Sequence, residues 1–175
     1  MSLGLRRGEL LGLRWQDLDL DAATLRVTRS LQRIGGTVVL NEPKTERSRQ
    51  ILSLPTSAIA VLRSHRDRQA RERKAAGARW RESGMVLTTP IGTAIDPDNL
   101  TKAYKALLKG AGLRDQRFHD LRHTAATPML RDGLPVHEVS AVLGHSQTST
   151  TLNVYSLVLP RVNDRAAAAK ERLVG

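Results

Sequence analysis

Arg117-Phe118-His119-Asp120-Leu121-Arg122-His123-Thr124 is the stretch around which the rest of the chain can be read. If a helix begins at Asp120, His119 and Arg122 fall on one face a single turn apart. A guanidinium is planar, permanently charged and shaped to hold two oxygens of one phosphate. An imidazole beside it carries a proton near neutral pH or donates a hydrogen bond. Downstream, Gly144-His145-Ser146 adds another imidazole and Tyr155 a phenol that could attack a phosphorus atom. By itself a His-x-x-Arg spacing is weak, because chance supplies it often.

Working outward, the composition points the same way. Across 175 residues there are 28 Lys and Arg against 17 Asp and Glu, a formal charge of +11. A soluble chain so basic points to a polyanionic partner, most often nucleic acid. Two Trp, two Tyr and one Phe are too few for a base-stacking platform. Contacts to nucleic acid would therefore be ionic and directed at the backbone. Cysteine is absent, which excludes disulfides and thiolate metal sites. No dense Asp/Glu cluster has metal-ligand spacing, so a two-metal nuclease is poorly supported and no cofactor is expected. No apolar run approaches a membrane span, and the first residues lack signal-peptide form.

The patterning predicts an α+β fold, mainly α, with a small antiparallel three-stranded sheet. Leu5 to Arg14 reads as a helix and Trp15 to Asp19 as a turn. Thr24 to Thr28, Ile34 to Leu40 and Arg49 to Leu54 read as strands of a meander, with Gly35-Gly36 between strand pieces and Lys44 at its tip. Thr56-Ser57 caps a long helix to about Ala76, whose second half is crowded with Arg63, Arg66, Arg68, Arg71, Arg73 and Lys74. That face is either solvated and locally paired with Asp67 and Glu72, or skirts a DNA backbone. Met85 to Leu87 reads as a short strand. Asp96-Pro97-Asp98 opens a helix that stops near Gly110 and Gly112. Pro135 to Leu143 and Thr148 to Leu157 are short helices, and a terminal helix fills 160–175.

Five segments in order carry a resemblance: Gly4-Leu5-Arg6-Arg7-Gly8-Glu9-Leu10, Pro43-Lys44-Thr45, His119-Asp120-Leu121-Arg122-His123-Thr124, Leu143-Gly144-His145-Ser146, and Thr150-Thr151-Leu152-Asn153-Val154-Tyr155-Ser156. Together they resemble the catalytic domain of the tyrosine recombinases, the phage-integrase family with its DNA breaking-rejoining fold. The resemblance runs from Gly4 to about Pro160. It implies that residues 1–175 are one C-terminal catalytic domain, lacking the family's N-terminal DNA-binding domain and the first helices of the catalytic domain. Apolar surface would then lie uncovered near Leu5 and Leu10.

The resemblance also implies roles. Arg6 and Arg122 clamp the nonbridging oxygens of the scissile phosphate, and His145 donates to the same oxygens. Lys44 protonates the leaving 5′ oxygen, and His119 assists as acid/base or by orienting the phosphate. Tyr155 is the nucleophile and forms a 3′-phosphotyrosine, while Glu9 buttresses Arg6. The implied activity is metal-independent site-specific recombination, with double-stranded DNA as partner. A DNA-bound tetramer exchanging tails, in a bacterial or phage cytoplasmic setting, completes the picture. Two rivals stand beside it: a DNA-binding module without chemistry, with Pro135 to Tyr155 as helix-turn-helix, and an inactive relative. Pro128 makes the second imaginable, because it falls inside the helix after Arg122 and could kink it.

Overall fold

The computed structural model describes residues 3–41 and 51–143. The elements are helix α1 (Arg7–Leu11), strands β1 (Leu18–Asp19), β2 (Thr24–Arg26), β3 (Ser30–Ile34), β4 (Thr37–Asn41) and β5 (Ile51–Ser53), then helices α2 (Thr56–Ala76), α3 (Pro97–Gly110), α4 (Asp120–Arg131) and α5 (Val136–Leu143). Helix dominates, as the patterning predicts. Lys44, His145, Tyr155, the helix expected at Thr148 to Leu157 and the tail helix at 160–175 lie outside the described residues.

The first helix is shorter than its apolar spacing predicts. Gly12 ends it, and Leu13-Arg14 are drawn into extended pairing with the segment at 85–86. Val86 N–H donates to the Leu13 carbonyl at 2.8 Å, and Arg14 bridges Met85. That pairing is all that forms of the strand expected at Met85 to Leu87. Tertiary hydrogen bonds outweigh the local helical pattern on both sides of the contact.

A three-stranded antiparallel sheet is present, but with a different membership. Its order is β1-β2-β5, with Leu25 opposite both Leu18 and Leu52. β1 comes from the stretch read as a turn, while β4 pairs with β3 in a separate two-stranded hairpin. Gly35 and Gly36 make that hairpin's turn, with φ of +56° and +84°, a left-handed pair that glycine adopts without strain. The meander reading failed because strand pairing between sequence-distant partners is not written in local alternation.

Leu13, Leu25, Val27, Leu52, Leu54 and Val86 form the main core, covered by Ala58, Ile59 and Leu62 of α2. Leu25 is wholly buried, worth about 1.5–3 kcal/mol relative to exposure. Gln69 fastens α2 to the 85–88 segment. It accepts from Trp15 Nε1 at 2.6 Å and donates to the Met85 and Val86 carbonyls and to Thr88 Oγ1. Pro55, rather than Thr56 or Ser57, sits at the N-cap of α2, and no side-chain cap bond forms there. Asp96 caps α3 as predicted, accepting from the Asp98 N–H at 2.8 Å, with Pro97 in the first turn.

Ala126, Leu130, Val139 and Leu143 join α4 to α5. Pro128 does not interrupt α4, which stays helical from Asp120 to Arg131. In the turns before the proline, the Thr124 and Thr127 hydroxyls donate back to the Asp120 and His123 carbonyls. An apolar groove of about 800 Å³ lies between Leu3, Leu5 and Leu10 and the α2 residues Ala58, Val61 and Leu62. Among the described residues no helix is long and apolar enough to cross a membrane.

Candidate active site

α1 can lie against β3 only because residue 8 is glycine. A Cβ there would meet Ser30 Oγ at 2.5 Å and the Leu31 carbonyl oxygen at 2.8 Å. This close approach puts Arg6, at the N-cap of α1, beside β3. Glu9 holds Arg6 twice: Oε2 accepts from its backbone N–H at 2.8 Å and Oε1 from Nη1 at 2.7 Å. The contact expected of Glu9 is therefore present. With 46 % of its side chain exposed against 16 % for Glu9, Arg6 faces solvent on a fixed base.

His119 ends the turn that feeds α4. The Asp120 carboxylate closes that turn by accepting from the Arg117 N–H at 2.9 Å. Phe118 packs edge-on against Tyr104 of α3 at 5.3 Å between ring centroids. His119 itself stays exposed and meets the His123 ring edge-on, also at 5.3 Å. Partial burial holds its pKa below the ordinary histidine value. The positive charges of His123 and Arg122, and more weakly Arg6, push the same way, while Asp120 opposes them. The neutral ring is thus favoured, and a neutral imidazole can accept a proton.

Arg122, one turn on, is only 2 % exposed. Its Nη1 donates to the Gly4 carbonyl and its Nη2 to the Leu143 carbonyl. One planar fork thereby joins the segment before Arg6 to the end of α5, two residues before His145. The flat spacing of two donors is what a guanidinium offers and an ammonium does not. Sequence spacing had placed His119 and Arg122 on a common face. In the fold His119 lines the cleft, while Arg122 is buried and is not among its lining residues.

A cleft of about 720 Å³ collects Arg6 and His119 with Arg7, Ser30, Gln32, Arg33 and Asp98. Of the residues singled out from sequence, Arg6, Glu9, His119 and Arg122 are gathered at α1 and the start of α4. Lys44, His145 and Tyr155 lie outside the described residues. Arg33 was not anticipated. No motif marks it, and only its place one residue before the strand end at the Gly35-Gly36 turn could have suggested a presented cation. The arrangement offers several cations and a neutral imidazole around a space suited to a phosphate.

Residues 1–160 match the profile of the Phage integrase family. The chain is 39 % identical over 178 residues to a tyrosine recombinase XerC-like protein of Caldanaerobacter subterraneus subsp. tengcongensis, covering 93 % of this chain and 45 % of that one. An integrase of Streptomyces ambofaciens is 34 % identical over 164 residues, covering 87 % of this chain and 41 % of the integrase. The chain thus spans less than half the length of these relatives. The solved structure of the Tn1549 transposon integrase, in complex with transposon right end DNA, has the same fold. Its TM-score is 0.81 at 21 % identity, over 99 % of this chain and 56 % of that one.

Proposed function

The chain belongs to the phage integrase family, and from that premise we propose that it performs the strand cleavage and rejoining of site-specific DNA recombination. The observation that carries this reading is the gathering of Arg6, His119 and Arg122 where α1 meets the start of α4. Arg122 supports it further by tying the end of α5 to the segment that precedes Arg6.

In the proposed mechanism the scissile phosphate enters the cleft beside Arg6 and over Arg122. These guanidiniums, with His145, neutralise the nonbridging oxygens as the phosphorane gains charge. The phenol of Tyr155, with an ordinary pKa of about 10, loses its proton to a neighbouring base, and the adjacent cations favour the phenolate. Neutral His119 is suited to take that proton. The phenolate oxygen then bonds to phosphorus as the bond to the 5′ oxygen breaks, and Lys44 protonates the departing oxygen. The 3′-phosphotyrosine keeps the bond energy, so a 5′ hydroxyl can reverse the step and rejoin DNA without ATP. By the same reading the working form is a DNA-bound tetramer with exchanged tails, in a bacterial or phage cytoplasmic setting.

A nicked suicide duplex incubated with the chain tests this on a denaturing gel. The expected result is a covalent protein–DNA adduct, absent in Tyr155→Phe and slowed by roughly 10²–10³-fold when a single cation such as Arg6 is removed. Duplex binding without any adduct from the unaltered chain would instead identify a binding module or an inactive relative.

A further inference from the structure

We propose that Arg33 and Arg7 form a second phosphate subsite in the same cleft, for backbone phosphates flanking the scissile one, and that the Asp98 carboxylate fills it when DNA is absent. The proposal rests on the DNA-cleaving reading above and goes beyond it in assigning Arg33, which no motif marks, and Arg7, to which the resemblance gives no role.

The Asp98 carboxylate already shows how an anion would sit. Its Oδ2 lies 3.6 Å from Arg33 Nη1 and its Oδ1 lies 3.9 Å from Arg7 Nη1. Two oxygens thus face two arginines, as two nonbridging oxygens of a phosphate would. Both contacts are long and solvent-facing, with side-chain exposures of 46 % for Arg33, 42 % for Arg7 and 56 % for Asp98. Exposed ion pairs of this kind contribute little to stability and exchange readily.

Each arginine also has a separate anchor. Arg33 Nη1 lies 2.8 Å from Asp96 Oδ2, and Arg7 Nη1 donates to Thr101 Oγ1 at 2.8 Å and to the Pro97 carbonyl at 3.3 Å. Asp98 can leave without releasing either guanidinium. Arg33 stands three residues along β3 from Ser30, the residue under Gly8, which is about 10 Å at strand rise. A cleft of about 720 Å³ has room for more than one phosphate group.

The test measures affinity of the full chain for a fluorescent duplex against salt concentration. Arg33→Gln should flatten the log–log salt slope by about 0.9, so that its deficit relative to the unaltered chain changes about threefold between 50 and 200 mM salt. Asp98→Asn should bind about threefold or more tighter, a gain that no folding defect can imitate. An Arg33→Gln slope equal to that of the unaltered chain, or an Asp98→Asn that binds no better, overturns the subsite while leaving the DNA reading intact. Failure of the unaltered chain to bind duplex at all would overturn the DNA reading itself, and the subsite with it.

Discussion

Arg122→Ala is the substitution that most directly tests how the site is built. In the fold this guanidinium is buried and donates to the Gly4 and Leu143 carbonyls. Hydrogen bonds involving a charged donor are worth about 1.5–3 kcal/mol each, so two amount to about 3–6 kcal/mol gross. Alanine also relieves the chain of desolvating a buried cation, a cost of several kcal/mol that offsets part of the loss. Against that relief, two carbonyls lose their donors and a cavity opens under the cleft. The expected net loss is about 3 kcal/mol. For a chain of this size that lowers Tm by about 6–12 °C, measurable by calorimetry or circular dichroism. Arg122→Lys keeps the charge but reaches one carbonyl instead of two, so it should recover about half of the loss. A Tm for Arg122→Ala within about 2 °C of the unaltered protein would refute the reasoning, because it would mean that the arginine serves only an incoming phosphate. Full recovery by lysine would show that charge matters and the planar fork does not.

Gly8→Ala should cost about 1–3 kcal/mol in a denaturant melt, because its Cβ meets the fixed Leu31 carbonyl at 2.8 Å and must push α1 off β3. A neutral result would mean that α1 does not depend on that approach. Gln69→Leu keeps the volume but leaves Trp15 Nε1 and the Met85 carbonyl without the Gln69 partner, while the Val86 carbonyl keeps its bond from His65 Nε2. A loss of about 2–4 kcal/mol is expected, and none would contradict the role given to Gln69. His119 titrates lower in the folded chain, so the unfolded chain binds its proton first and stability declines as pH falls through about 6.5. Adduct formation at subsaturating DNA should keep its neutral-ring requirement to below that pH. An acid limb that persists unmoved in His119→Gln would assign the titration to another group.

Much of this protein is legible in short stretches. Asp96-Pro97-Asp98 predicts the start of α3, and the Gly35-Gly36 pair predicts a turn, because caps and left-handed turns are decided by a few adjacent residues. The long α2 and the helix following His119 are legible from their runs of helix-forming residues, although Thr56-Ser57 does not cap α2. Arg6 and Glu9 at helical spacing foretell their ion pair. The motifs in order identify the family, while each alone would have been ordinary.

What the chain order left undecided was every partnership between distant residues. Local alternation could not say that β4 would leave the sheet for β3, or that Leu18-Asp19 would take its place. Nor could it show that Leu13-Arg14 would unwind from α1 to pair with Met85-Val86. In sequence His119 and Arg122 sat a turn apart on one face. Only folding set His119 in the cleft and buried Arg122, because a buried guanidinium needs acceptors and the two it found come from opposite ends of the described chain. Short-range steric rules fix which elements form, but which faces meet depends on burial and hydrogen-bond satisfaction across the whole molecule.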